Sequence, residues 1–284
     1  MKAIKLIITF IVILGCVVGA FFLLGPSKSK SYNKVPDNTY ETYRKQFALD
    51  WEQKGDWDEE VFLRHFEDIQ ILKGKDYDVA SLNELNTKTA TQLVKKRIFG
   101  EWDNSQCSKT KIDNCINAIK LIEEKDPKAK TYSDVVLIKN VYSTYITAYS
   151  FANKKIGLTP SFNGTSWNSF SSYSKQIKSQ KAAIESNENY KKYLSGITAI
   201  KNALSTVDSR LASAKDVFYS TLANKIYLYY ENIHLYDRTA GLRDDLVNAI
   251  DKYESEYSYN SKLRLLRKEY NRDVYSNSLP KQRM

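Results

Sequence analysis

Histidine is nearly missing from this sequence: His65 and His234 are the two in 284 residues. A hydrolytic triad or a histidine-rich metal centre needs imidazoles beside other reacting groups, so this scarcity excludes most such chemistry. Neither histidine sits in a motif that restores it. His65 lies on an apolar helical face with Phe62, Phe66 and Ile69, the setting of a core histidine. His234 follows Glu231 by three residues, half of the di-iron bundle signature. The other half fails, because the residue three before His65 is Phe62. Asp56-x-Asp58-x-Glu60 starts like a calcium loop, but Val61 stands where that loop requires glycine.

Glycine and proline are scarce too, ten and five. That argues against a turn-rich all-β protein, and no glycine loop is present to cradle phosphate. With no cofactor or metal motif, the expectation is a non-enzymatic protein without catalytic residues. There are three cysteines. Cys107 and Cys115 are close enough for Cys107 to fold back over the first turns of a helix beginning near Thr110. Two readings stand: a disulfide, as an oxidising compartment allows, or two small buried apolar residues.

The net charge of +10 is unevenly placed. Residues 1–34 hold five lysines and no acid, and a second excess falls in the last helix, at Lys262, Arg264, Arg267, Lys268 and Arg272. Charge gathered at the ends suits a membrane better than a continuous nucleic-acid face.

What the chain does have is one long uncharged run. Leu6 to Leu24 spans a bilayer core as a helix, with Lys2 and Lys5 before it and Gly25-Pro26 after it. Leu23-Leu24-Gly25-Pro26 is a poor cleavage site, so the run reads as an uncleaved signal anchor. Its rival is a lipoprotein signal, Ile13-Leu14-Gly15-Cys16, with Cys16 as the lipidated residue. Either way the chain is held at a membrane. The very short N-terminal tail puts the body outside the cytoplasm, in the periplasm or at the cell surface.

Residues 1–25 are thus a membrane anchor and 26–36 a polar tether. Residues 37–156 form an N-terminal helical block, 157–276 a long-helix bundle and 277–284 a frayed tail. The first block holds five helices. One carries Tyr40, Tyr43, Phe47 and Trp51 and stops at Gly55; one opens at Asp56/Asp58 and stops at Gly74. A third begins near Asp78 or Ser81, with Ser81-x-x-Glu84 as a capping box, and runs to Phe99-Gly100. A fourth runs from Thr110 to Asp126-Pro127, and a fifth opens at Thr131-x-x-Asp134. A loop at 156–165 divides the blocks.

From Tyr190 to Tyr236 apolar residues recur at steps of three and four, including Ile197, Leu204, Leu211 and Phe218. This heptad spacing predicts one helix about 70 Å long, with a stutter after Phe218. Its stripe is the candidate face for a protein partner or for self-association. Within it, Arg210-Leu211-Ala212-x-Ala214-Lys215-x-x-Phe218 resembles the last long helix of LemA-type proteins, which are membrane-anchored helical bundles. Phe218-Tyr219 replaces the Tyr-Asn of that pattern, and its first-helix pattern does not follow the anchor. The expected fold is all-α: an N-terminal transmembrane or signal-anchor helix, then an elongated helical bundle with coiled-coil character. The expected role is scaffold, adaptor or assembly subunit. The alternative is an envelope module binding lipid or cell-wall polymer.

Overall fold

The computed structural model describes residues 38–73 and 78–278. The anchor, the tether, Cys16, Gly74 and residues 279–284 lie outside the described residues. Those described are helical, with an isolated bridge between Phe162 and Trp167 and no strand. Among them no helix is long and apolar enough to cross a membrane.

In order, the helices are α1 (Asn38–Lys54), α2 (Glu59–Leu72), α3 (Val79–Asp103), α4 (Lys109–Lys125), α5 (Ser133–Asn153), α6 (Phe170–Ser186), α7 (Thr198–Ser205), α8 (Val207–Glu231), α9 (Ala240–Glu256) and α10 (Ser261–Ser278). The chain divides into two compact units between Leu93 and Val94, inside α3. The predicted division at 156–165 is therefore corrected. That loop belongs within the second unit, because it is packed onto the helices that follow it.

Local chemistry sets most helix ends. Gly55 closes α1 with a φ of 64°, a conformation open to glycine. Asp58 caps α2 by accepting from the Val61 amide, and Glu59 and Glu60 sit in its positive first turn. Ser108 caps α4, Ser169 caps α6 and Thr239 caps α9. α3 starts at the first of its two expected positions, with Asp78 as the cap in place of the Ser81-x-x-Glu84 box. Asp78 accepts from the Ser81 amide at 3.1 Å, and the Ser81 hydroxyl donates back to Asp78. Gly100 does not stop α3. Burial of Trp102 rewards one further turn, and an added Cβ at Gly100 would meet nothing. Thr131 lies in a short 3₁₀ turn, Pro127–Thr131, ahead of α5. α10 continues through Ser278, past the start of the predicted frayed tail.

In the first unit Phe47, Ile69, Leu72 and Leu82 form a buried cluster, with Tyr40, Tyr43 and Val79 packed against it. In the second, α5 packs on α6 and α7, α6 on α8, and α8 on α9 and α10, which also pack on each other.

The single long heptad helix is not formed. Tyr190–Leu194 is a π-helical turn, Ser195-Gly196 a turn, and Ile197 has an extended backbone. α7 then runs eight residues to Thr206, where φ is −95° and ψ 6°, before α8 begins. At 25 residues α8 is about 37 Å long. The stripe stays inward from Ile197 to Ile226 across these interruptions, while its last members, Tyr229 and Tyr236, are exposed. Ile197, Leu204, Leu211 and Phe218 are 3%, 2%, 4% and 0% exposed. The coiled-coil expectation fails for this reason: the chain's own α5 and α6 occupy the place of a partner helix. Phe170 on α6 meets Phe218 with ring centres 5.4 Å apart.

Candidate functional site

One cluster of titratable groups in the first unit has the composition of a site. Asp50 and Trp51 come from the last turn of α1, His65 from the middle of α2 and Asn86 from the second turn of α3. The ring of His65 is fully buried and stacks on Phe47, centres 4.0 Å apart and planes at 15°. Trp51 meets it edge-on at 5.6 Å. His65 Nε2 lies 2.9 Å from Asp50 Oδ2, and Nδ1 lies 3.1 Å from Asn86 Oδ1. Trp51 Nε1 donates to the same Asn86 oxygen at 3.0 Å, and Asn86 Nδ2 donates to the Phe62 carbonyl at 3.3 Å. Arg64 and Gln46 donate to the two oxygens of Asp50, each at 2.6 Å. Partial burial pushes the Asp50 carboxyl upward. The hydrogen bonds from His65 and Gln46 and the Arg64 charge outweigh it and hold the group below the usual carboxylate range.

His65 therefore has the acidic partner that the sequence left unidentified. The pair has the atoms of an acid/base dyad, but both ring nitrogens are engaged inside the core. A substrate would have to displace packed aromatic rings to reach them, so the cluster works as a polar tie between three helices. Sequence alone could not assemble it, since its members are 15 and 21 residues apart. His234 is exposed in the turn after α8, and Glu231 is engaged by the Tyr227 hydroxyl. Among the described residues no three metal-ligating side chains converge.

Of the two readings of Cys107 and Cys115, the structure has the one without a bridge. Cys107, half-buried, and Cys115, buried on α4, are separate thiols. Cys115 fills the α4 face with Ile112, Ile116 and Ile119. Burial and the neighbouring Tyr145 hydroxyl dominate around Cys107; burial pushes its thiol up, and burial likewise raises Tyr145. Trp102 Nε1 and the Tyr145 hydroxyl are both buried without a well-formed hydrogen bond.

The basic helix is not a uniform positive surface. Arg264 makes a two-pronged pair with Glu254, and Arg267 reaches Asp251 at 2.9 Å. Lys262 stands 3.6 Å over the Tyr227 ring, and Arg272 contacts Asp273 at 3.2 Å. Lys268 lies exposed on the same helix. Much of this charge ties α10 to α9 and α8.

A groove of about 900 Å³ opens between α5 and α6. Ile146, Phe151 and Ile184 form apolar walls, and Ser143, Gln180 and Lys154 stand around them. The Thr147 hydroxyl donates to the Ser143 carbonyl one turn back, which occupies its hydrogen. Lys154 donates to Gln180 at 3.3 Å. Sequence reading passed over this groove because its residues are unremarkable singly.

Comparison with known protein families, with curated proteins and with solved structures finds no match to this chain.

Proposed function

We propose that this is a membrane-anchored, extracytoplasmic helical protein that works as a scaffold, adaptor or assembly subunit rather than an enzyme. The observation that carries the reading is the uncharged run Leu6–Leu24, bounded by lysines and closed by Gly25-Pro26, ahead of an all-helical body. The engagement of His65, Asp50 and Asn86 with one another supports it, since it gives that constellation a structural task. The heptad stripe is buried, so partner contact falls to outer faces of the helices. Membrane fractionation tests the reading: the full-length protein is expected to stay in the pellet through alkaline carbonate and to need detergent for release. Recovery in the aqueous phase without detergent or lipid overturns it.

A second reading, a binding module for envelope lipid or cell-wall polymer, is favoured by the α5–α6 groove. A bulky side chain at Ala183, which lines the groove, separates the two. Ala183→Trp is expected to abolish capture of a small ligand and leave a protein partner on other faces attached.

A further inference from the structure

The charges of α10 divide between two sides of the helix. Arg264 and Arg267 turn toward α9, where they pair with Glu254 and Asp251. Asp273 is buried and lies between Arg238, at 2.5 Å, and Arg272, at 3.2 Å. That trio keeps one positive charge. The acids that meet α10 from α9 are therefore matched by its own arginines, and the exposed residues between 261 and 276 include no acid. On that outer side Leu265, Lys268, Arg272 and Tyr275 follow at steps of three, four and three. Such spacing sets them in one row about 15 Å long. Its centre is two cations, and each end is a hydrophobic side chain left in water: Leu265 is 58% and Tyr275 67% exposed. In the sequence, residues 279–284 add Lys281 and Arg283 and no acid.

We propose that this outer row of α10 lies on an anionic lipid surface. The inference rests on the membrane-anchored reading above and gives the body a second contact with the bilayer. Lys268 and Arg272 match headgroup phosphates. Tyr275 has the amphipathic ring that settles at the headgroup level, and Leu265 adds apolar area to bury at the acyl boundary. A nucleic-acid face calls for cations along the whole helix, whereas Arg264 and Arg267 are engaged with α9. So short a row holds a free protein on lipid only weakly. On a chain already fixed to the bilayer by Leu6–Leu24, docking is intramolecular, and the high effective concentration makes a weak face sufficient.

The test places the full-length protein in nanodiscs of phosphatidylcholine alone, or of phosphatidylcholine with about one-third phosphatidylglycerol. N-acetylimidazole then acylates accessible phenols and amines. Mass spectrometry follows Lys268 and Tyr275, with the exposed Lys201 of α7 as internal reference. Relative to Lys201, both are expected to react about five-fold or more slowly in the anionic discs, and the difference is expected to close in about 0.5 M salt. Leu265→Glu combined with Lys268→Glu, both at exposed positions, is expected to bring Tyr275 to one rate in the two kinds of disc. Retention in both discs with equal labelling of the wild type overturns this proposal alone. Equal protection of Lys268 by soluble polyphosphate in the neutral discs overturns it too, in favour of an anionic polymer. A chain that elutes apart from both kinds of disc overturns the anchor reading, and this proposal with it.

Discussion

Gly164 turns the chain between Phe162 and Trp167 with a φ of 102°, a region that side chains other than hydrogen rarely enter. A Cβ there would also come within 3.0 Å of the Tyr229 hydroxyl. Gly164→Ala is expected to lower stability by about 1–2 kcal/mol, chiefly through backbone strain, since the half-exposed Tyr229 can move aside. Thermal unfolding reads this directly. Single residues were legible in the sequence where their role is local. Gly55 and Asp58 act on neighbours within a turn, and their chemistry is written beside them. Asp50, His65 and Asn86 act across three helices, and nothing near His65 in the chain names its acid. The spacing of Cys107 and Cys115 permitted a bridge. In the structure Cys115 lies in the core among the isoleucines of α4 and makes no bridge to Cys107.

At the scale of the element, Glu254 joins the end of α9 to the start of α10. Its carboxylate accepts from Arg264 and, at 3.4 Å, from the Asn260 amide, while Asn260 Oδ1 accepts from Leu263 N. The Arg264 hydrogen bond, partly opposed by burial, holds Glu254 below the ordinary glutamate value of 4.5. A depressed carboxylate stabilises the fold above its unfolded-state value and stops doing so as pH falls through its folded one. Glu254→Gln is therefore expected to be less stable than the wild type at neutral pH. The gap should close below pH 4.5, as acid titrations of unfolding would show. Helices themselves were readable from apolar spacing except over the predicted Tyr190–Tyr236 helix, which is interrupted before Val207 and ends at Glu231, short of Tyr236. Between Tyr190 and Val207 the stripe keeps its period although the helix breaks at Gly196 and bends at Thr206. Counting apolar positions follows a face, not an axis, so the count is blind to a bend that keeps the face inward. Gly196 was the overlooked signal, a glycine following Leu194-Ser195 where a helix can end.

For the whole molecule, the decisive fact is that the longest apolar stripe is covered by the chain itself. Removing Leu204, 2% exposed, is expected to act on folding and not on assembly. Leu204→Ala should cost about 2–5 kcal/mol, while light scattering finds the mass in solution unchanged. A fall from dimer to monomer in that variant would restore the stripe as a self-interface. The all-helical class followed from composition and period, because few glycines and prolines leave little room for turns. The division into units did not follow. It lies inside α3, where the sequence shows no composition change, whereas the conspicuous Gly-Pro-Gly stretch at 157–164 marks no boundary.

That stretch has a further consequence. Its irregular backbone runs from Lys154 to Ser169, yet Tyr230 Oη donates to the Gly164 carbonyl at 2.7 Å and Lys225 to that of Pro160 at 2.8 Å. Trp167 Nε1 reaches Glu256 at 2.9 Å, and Tyr270 Oη holds the Tyr230 carbonyl behind it at 2.6 Å. Ordinary surface connections accept inserted tags and are nicked first by proteases. This one is buttoned down at three points along its length, so it is a poor place to splice in a reporter, for all its look of a hinge.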